Sequence, residues 1–160
     1  MYPLSSSWSI WVHYLKDMDW SQKSYINIHT CLNLEEIIAF HETIILSENV
    51  LRKYMLFFMK ESILPMWEDA SNRLGGCFWF TIPIENVCIK WKTILYTIIG
   101  NTISDNPKFI EDISGVVLSP KKNYYIVQLW MKSREYSITD ICSSIQKVAD
   151  NNIIFKTHNV

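Results

Sequence analysis

The sequence predicts an α+β domain with a mainly antiparallel sheet. Three observations predict it. Stretches rich in aromatic and β-branched residues follow one another in hairpin order, helical periodicity interrupts them at three places, and no repeat, low-complexity run or linker divides residues 1–160. A chain of 160 residues suits one domain, able to bury a core without a disulfide or metal.

The elements follow in order. "WSIWVHYL" (8–15) and "SYINIHTCL" (24–32) read as strands, the second alternating Tyr25 and Asn27 against Ile26 and Ile28, with a polar turn from Lys16 to Asp19 between them. Asn33 is placed to cap a helix carrying Leu34, Ile37, Ile38 and Phe40, with Glu36 three residues on. Residues 54–63 and 75–82 are strand-like and bracket "PMWEDASNRLGG" (65–76), whose proline, asparagine and paired glycine make it a loop. Over 85–99, Val87, Trp91, Ile94, Leu95, Ile98 and Ile99 share one helical face, and Gly100 stands where a left-handed C-terminal cap is wanted. "ISGVVLS" and "YYIVQLWM" form a hairpin around "PKKN". Ser137 with Asp140 opens a third helix carrying Ile138, Ile141, Ile145 and Val148, and "NIIFKTH" closes the chain as a strand.

Composition excludes several function classes. A net charge of −1 and a pI near 6.4 argue against a broad basic surface for coating nucleic-acid backbones, so contact with RNA is expected to be local and DNA is not an expected partner. Cys31, Cys77, Cys88 and Cys142 form no Cys-x-x-Cys pair and have no His-x-x-x-His beside them, so no metal is expected and a reducing compartment fits. No apolar run reaches the ~18 residues of a membrane span, and no basic flank precedes an apolar N-terminus, which gives a soluble, cytoplasmic reading with no membrane partner. His13, His29, His41 and His158 are scattered away from any nucleophile motif, and the four glycines build no phosphate loop, so neither enzyme nor cofactor is expected.

The seven tryptophans need a reason. Trp20 lies in a polar turn and Trp67 in a proline-flanked loop beside Glu68, positions less core-like than those of Trp8, Trp11, Trp79 and Trp91. Two indoles facing across a slot hold a flat ring, and hold a cationic ring better, because both π faces attract positive charge. A glutamate matches the adjacent imino and amino hydrogens of guanine with its two oxygens. The implied ligand is 7-methylguanosine; the plain alternative is that both tryptophans are simply buried.

Four blocks carry a resemblance: "PLSSSWSIWVHYLKDMDW", "LFFMKESILPMWEDASNRLGG", "KWKTILYTIIGN" and "SGVVLSPKKNYYIVQLW". They resemble, in order, the signature blocks of the eukaryotic translation initiation factor 4E family, the mRNA cap-binding proteins, from Tyr2 to about His158. The resemblance implies one domain over 1–160, a strongly curved antiparallel sheet with about three helices on its convex back, and a cap slot on the concave side. It implies that Trp20 and Trp67 stack the methylated base, that Glu68 reads guanine, that the Trp67 backbone N–H meets the guanine carbonyl, that Trp130 lies against the methyl group, and that Asp69 is a structural acid of the loop.

Departures from the family pattern shape the remaining expectations. The family's phosphate-binding arginine falls on Lys121, its partner lysine on Ile126, and the basic residue after the glycine pair on Cys77. Lys121 and Lys122 are the expected phosphate contacts; Lys122 and Lys156 are candidates to compensate for the missing cations, though for each the plainer reading is an ordinary solvated lysine. The family's mobile C-terminal loop would lie beyond the last residues here. On the convex side the family docks a Tyr-x-x-x-x-Leu-hydrophobic helix of the four-G scaffold or of repressor proteins against a tryptophan and a valine of the first helix. Here those positions hold Ile38 and Leu34, then Lys92, Thr93 and Tyr96, with Pro3 retained. A missing hot-spot tryptophan removes ~2 kcal/mol or more, so the usual motif is expected to bind weakly or not at all. The expected function is cap binding in translation initiation by a divergent, viral or parasite, monomeric member. The alternatives are a cap-binding repressor or decoy and, ranked lower, an enzyme acting on RNA 5′ ends.

Overall fold

The computed structural model describes residues 1–45 and 48–158. Its strands are β1 (Pro3–Tyr14), β2 (Ile26–Asn33), β3 (Tyr54–Lys60), β4 (Gly76–Pro83), β5 (Ile113–Pro120), β6 (Tyr124–Met131) and β7 (Ile154–Thr157). They form one curved seven-stranded sheet in the order β2-β1-β3-β5-β6-β4-β7, and every paired register is antiparallel. The α+β expectation holds. The helices are α1 (Leu34–Ile45), α2 (Glu48–Lys53), α3 (Val87–Ile99), α4 (Pro107–Glu111) and α5 (Ser143–Val148).

Strand alternation divides the sheet into two unlike faces. Ile10, Phe58, Phe78, Phe80, Leu118 and Leu129 point to one side and pack with Ile37, Trp91, Ile94, Leu95, Phe109 and Ile145 in the main core. Phe57, Met59, Cys77, Val117 and Trp130 point to the other and, with Ile63, form a smaller cluster flanked by Trp11, Tyr25, Met55 and Trp79. Both faces are therefore apolar, and the second presents a half-open aromatic surface.

Several local expectations need correction. Asn33 does cap α1: its Oδ1 accepts the Glu36 N–H at 3.0 Å, while Glu36 Oε2 accepts the N–H of Leu32 at 2.6 Å. Gly100 is not left-handed, with φ −78; the positive φ of 58 falls on Asn101, whose side chain donates to Ser5 Oγ at 2.9 Å. The expected third helix is broken into a 3-10 turn at Ile138–Asp140, held by the Ser137/Asp140 capping box, and α5. Between them Cys142 turns its N–H to the Ile103 carbonyl at 2.8 Å, a tertiary bond that replaces helical continuation. β2 does not alternate inside and outside: it is an edge strand with an irregularity in register, Ile26 and Ile28 stay exposed, and only Cys31 and Asn33 are buried. Helices α2 and α4 were not expected, though Asn106 accepting from the Lys108 N–H and Pro107 at the first turn give α4 a local start signal.

Candidate functional site

The half-open aromatic face contains Trp130 and reaches Trp20 through Tyr25. Trp20 follows β1 in a turn fixed by its neighbours: Asp19 donates its N–H to Asp17 Oδ1 at 2.9 Å and its own Oδ1 accepts the Ser21 N–H at 2.8 Å. His13, fully buried on β1, bonds the Asp19 carbonyl through Nε2 at 2.8 Å, which makes Nε2 the protonated nitrogen, and its ring lies flat under Trp20 with centroids 4.0 Å apart and planes 6° from parallel. Trp20 is nonetheless 48% exposed. One indole face is braced and the ring remains accessible.

Trp67 stands in the loop between β3 and β4, which hydrogen-bonds to itself. The Asp69 carboxylate accepts the N–H groups of Leu64 at 3.1 Å and Ser71 at 2.8 Å. Asn72, wholly buried, donates its side-chain amide to the carbonyls of Leu64 and Met66 at 3.2 and 2.8 Å. This lattice presents Trp67 at 41% exposure beside an exposed Glu68. Trp20 and Trp67 are the strongly exposed tryptophans among the described residues, while Trp8 and Trp91 are core and Trp11 and Trp79 are half-buried. Simple burial is therefore not what holds Trp20 and Trp67 in place.

Tyr25, which sequence reasoning left as a strand residue, connects the two loops. Its ring lies 6.4 Å from Trp20 and meets Phe57 edge-on at 5.5 Å. Burial first, and then the nearby Glu68 carboxylate, push its hydroxyl up to about 12. Glu68 thus shares a neighbourhood with the Trp20 side of the face. Phe57 continues edge-on to Trp130 at 6.3 Å, and Trp130 to His158 at 4.6 Å. Trp130 is only 7% exposed, with its Nε1–H donated to Gln128 Oε1 at 2.9 Å, so it forms wall, not clamp. Burial, with Arg134 adding to it, holds His158 down to about 4.

The glycine pair has a packing reason. A Cβ on Gly75 would come within 1.8 Å of the Met131 carbonyl oxygen, and one on Gly76 within 2.3 Å of that of Lys156, so β4 enters the sheet tightly between β6 and β7. Lys121 and Lys122 are exposed in the β5–β6 turn, next to Tyr124. Tyr124 and Trp130 stand six positions apart on β6, about 20 Å at a rise of about 3.4 Å per residue. The hairpin lysines are not gathered with Trp130.

On the helical side, Pro3, Leu34, Ile38 and Tyr96 do come together, with Tyr2, Leu4 and Ile99, in an apolar groove of about 450 Å³. Lys92 and Thr93 do not line it. Lys92 pairs with Glu42 at 2.7 Å, and the Thr93 hydroxyl bonds the Ile89 carbonyl at 3.1 Å. His29, Cys31 and Glu36 place metal-ligand atoms within 4.8 Å of one another, a grouping that Cys-x-x-Cys spacing could not reveal. The Glu36 carboxylate is already committed to the Leu32 N–H, and burial with Glu36 pushes the Cys31 thiol up to about 11. No described helix is long and apolar enough to cross a membrane.

Comparison with known proteins agrees with this fold. The family model of eukaryotic initiation factor 4E matches residues 3–160. The eukaryotic translation initiation factor 4E of Candida albicans is 28% identical over 163 residues, covering 94% of this chain and 75% of that protein. Factor 4E-1 of Schizosaccharomyces pombe is 26% identical over 137 residues, covering 82% of this chain and 61% of that one. The chain thus spans roughly three fifths to three quarters of the length of these relatives. Among solved structures, Ascaris suum eIF4E-3 in complex with the m7G cap superposes with a TM-score of 0.81 at 20% identity, covering 99% of this chain and 92% of that one. A schistosome eIF4E complexed with m7GpppG and 4E-BP gives 0.80 at 23% identity, over 98% and 88%. At these identities the structures establish a shared fold.

Proposed function

Since the chain belongs to the eukaryotic initiation factor 4E family, we propose that it binds the 7-methylguanosine cap of mRNA and acts in translation initiation, with the methylated base stacked between Trp20 and Trp67. The observation that carries this reading is that these two tryptophans alone among the described ones are strongly exposed, each on a loop locked by its own hydrogen bonds. His13 braces Trp20 from behind, so the slot needs little ordering when the base enters, which lowers the entropic cost of binding. Glu68 accepts the imino and amino hydrogens of guanine, the Trp67 N–H donates to its carbonyl oxygen, and Trp130 walls the side that receives the methyl group. Asp69 shapes the loop without touching the ligand. The work is recognition, and no catalytic residue and no cofactor enter the scheme. The protein acts as a soluble cytoplasmic monomer.

The apolar groove on the opposite face favours an initiation factor that docks a helical partner, a divergent scaffold of the four-G type, over a decoy that only holds the cap. The Ascaris and schistosome proteins were solved with caps, the latter also with 4E-BP, which supports both surfaces. Intrinsic tryptophan fluorescence titrated with 7-methyl-GTP and with GTP tests the proposal. The methylated nucleotide is expected to quench the signal and bind far more tightly, because cation–π attraction of up to ~2 kcal/mol for each desolvated face is lost with the ring's charge. Trp20→Ala and Trp67→Ala should each abolish most binding, and Glu68→Gln should weaken it by setting an amide against one guanine donor. Equal affinity for the two nucleotides would overturn the reading.

A further inference from the structure

We propose that Lys156, supplied by the edge strand β7, is the cation that holds the phosphate chain of the bound cap, ahead of the hairpin residues Lys121 and Lys122. The inference rests on the cap-binding reading above and names how that site treats the charged part of its ligand. Cross-strand pairing places the residue: Lys156 stands opposite Cys77 on β4, and Cys77 stands opposite Trp130 on β6. Residues paired across adjacent strands project to the same face, so Lys156, Cys77 and Trp130 form one row across the aromatic face.

The Lys156 ammonium is held over the neighbouring row. Its Nζ lies 4.1 Å from the centre of the Trp79 ring. Trp79 pairs with Gln128, which accepts the Trp130 indole N–H. The charge therefore lies over the row next to that of Trp130, about 7 Å along the strand and one to two strand spacings of about 5 Å across, whereas the hairpin turn begins about 20 Å along β6. Cys77 leaves the space open: a small, buried, neutral side chain separates the lysine from Trp130. Burial pushes that thiol up to about 11, and the nearby Lys156 charge works against the rise. Arg134, the cation on the other side of Trp130, is tied to the Leu74 carbonyl at 3.1 Å. A phosphate leaving a base seated against Trp130 thus meets Lys156 first. Lysine binds phosphate as a point charge, without the two-pronged geometry of arginine, so one contact is expected from it.

The test compares 7-methylguanosine, which has no phosphate, with 7-methyl-GTP, in wild type and in Lys156→Met, Lys156→Arg, Lys121→Ala and Lys122→Ala. Methionine keeps an apolar stem over Trp79, and thermal melting reports that the fold is retained. Lys156→Met is expected to weaken 7-methyl-GTP about tenfold, as loss of one charge-assisted contact does, and to leave the nucleoside unchanged. The salt dependence of nucleotide binding should fall by about one counterion or less. Lys156→Arg should retain both, and the hairpin variants should change little. Equal weakening of nucleoside and nucleotide would mean that Lys156 only supports the aromatic wall, and a loss confined to Lys121→Ala would return the phosphates to the hairpin; either overturns the proposal. If wild type discriminates methylated from unmethylated guanosine while Lys156→Met behaves as wild type, the cap reading stands and the phosphate assignment falls. If wild type binds neither ligand, both fall.

Discussion

His158 carries a charge cost that sets how the folded chain answers acid. Its ring packs on Trp130, its Nε2 is buried with no hydrogen-bond partner, and it titrates near 4 against an ordinary 6.5. Between those values the unfolded chain holds a proton that the folded one refuses, so this residue's contribution to stability falls as pH drops from about 6.5 toward 4 and levels below that. His41 adds in the same direction: burial lowers it, Glu42 opposes, and Lys92 reinforces the lowering. The thermal midpoint is expected to fall between pH 7 and pH 5, and His158→Phe should flatten part of the slope; a midpoint that rises on acidification would contradict this. At this scale Trp20, Trp67 and Glu68 were legible because each is an aromatic or acid in a segment too polar to be core. His13 and Tyr25 were not, because their roles appear only once the chain is folded: 13 lies under 20 through a turn, and Tyr25 meets Phe57 of β3. Lys156 could be named as a cation, but its place comes from strand pairing, in which 156 reaches 77 across 79 residues of chain.

Among the elements, the β3–β4 loop is the one whose shape the site cannot do without. Asn72 ties two carbonyls from inside the loop while Asp69 ties two N–H groups. Asn72→Ala would strip the Leu64 carbonyl of its amide partner and leave that of Met66 with the Asp69 N–H, at a cost of about 1–3 kcal/mol in stability. It should also weaken nucleotide binding, because Trp67 and Glu68 hang on the same turn. Denaturant unfolding together with fluorescence titration would separate the two effects, and unchanged affinity in a destabilised variant would show that Trp67 is held by something else. The loop itself could be read from its proline and glycines, and α3 and the β5–β6 hairpin from their periods of 3.6 and 2. What misled was local pattern overridden by tertiary bonds. The Ile138–Val148 periodicity reads as one helix, but the Cys142 N–H is claimed by Ile103. The alternation in β2 reads as half-buried, but that strand is an edge and only its last turn toward α1 is covered.

Across the whole molecule, the seven-stranded sheet separates two surfaces that share no residue. The aromatic face lies on one side, and on the other α1 and α3 leave the groove lined by Pro3, Leu34, Ile38 and Tyr96. Sequence alone foresaw a weak groove on two grounds, Ile38 in place of a tryptophan and Lys92 in place of an apolar residue. Lys92 pairs with Glu42 and is not among the groove-lining residues, but its Nζ lies 5.7 Å from the ring centre of Tyr96, which is one of them. The first ground can be reversed by substitution. Ile38 is 38% exposed at the groove, and an indole there would add apolar area where a partner helix lies. Ile38→Trp is expected to tighten a Tyr-x-x-x-x-Leu-hydrophobic peptide by ~2 kcal/mol, or about thirtyfold, while leaving 7-methyl-GTP affinity unchanged because the sheet stands between. Ile38→Asp should abolish peptide binding with equally little effect on the nucleotide. Calorimetry with each ligand, alone and in the presence of the other, reads both numbers. A peptide that already binds wild type as tightly as Ile38→Trp would mean that Leu34, Tyr2 and Tyr96 supply the missing contact; a nucleotide affinity that moves with residue 38 would mean that the sheet couples its two faces, by the same free energy in either direction.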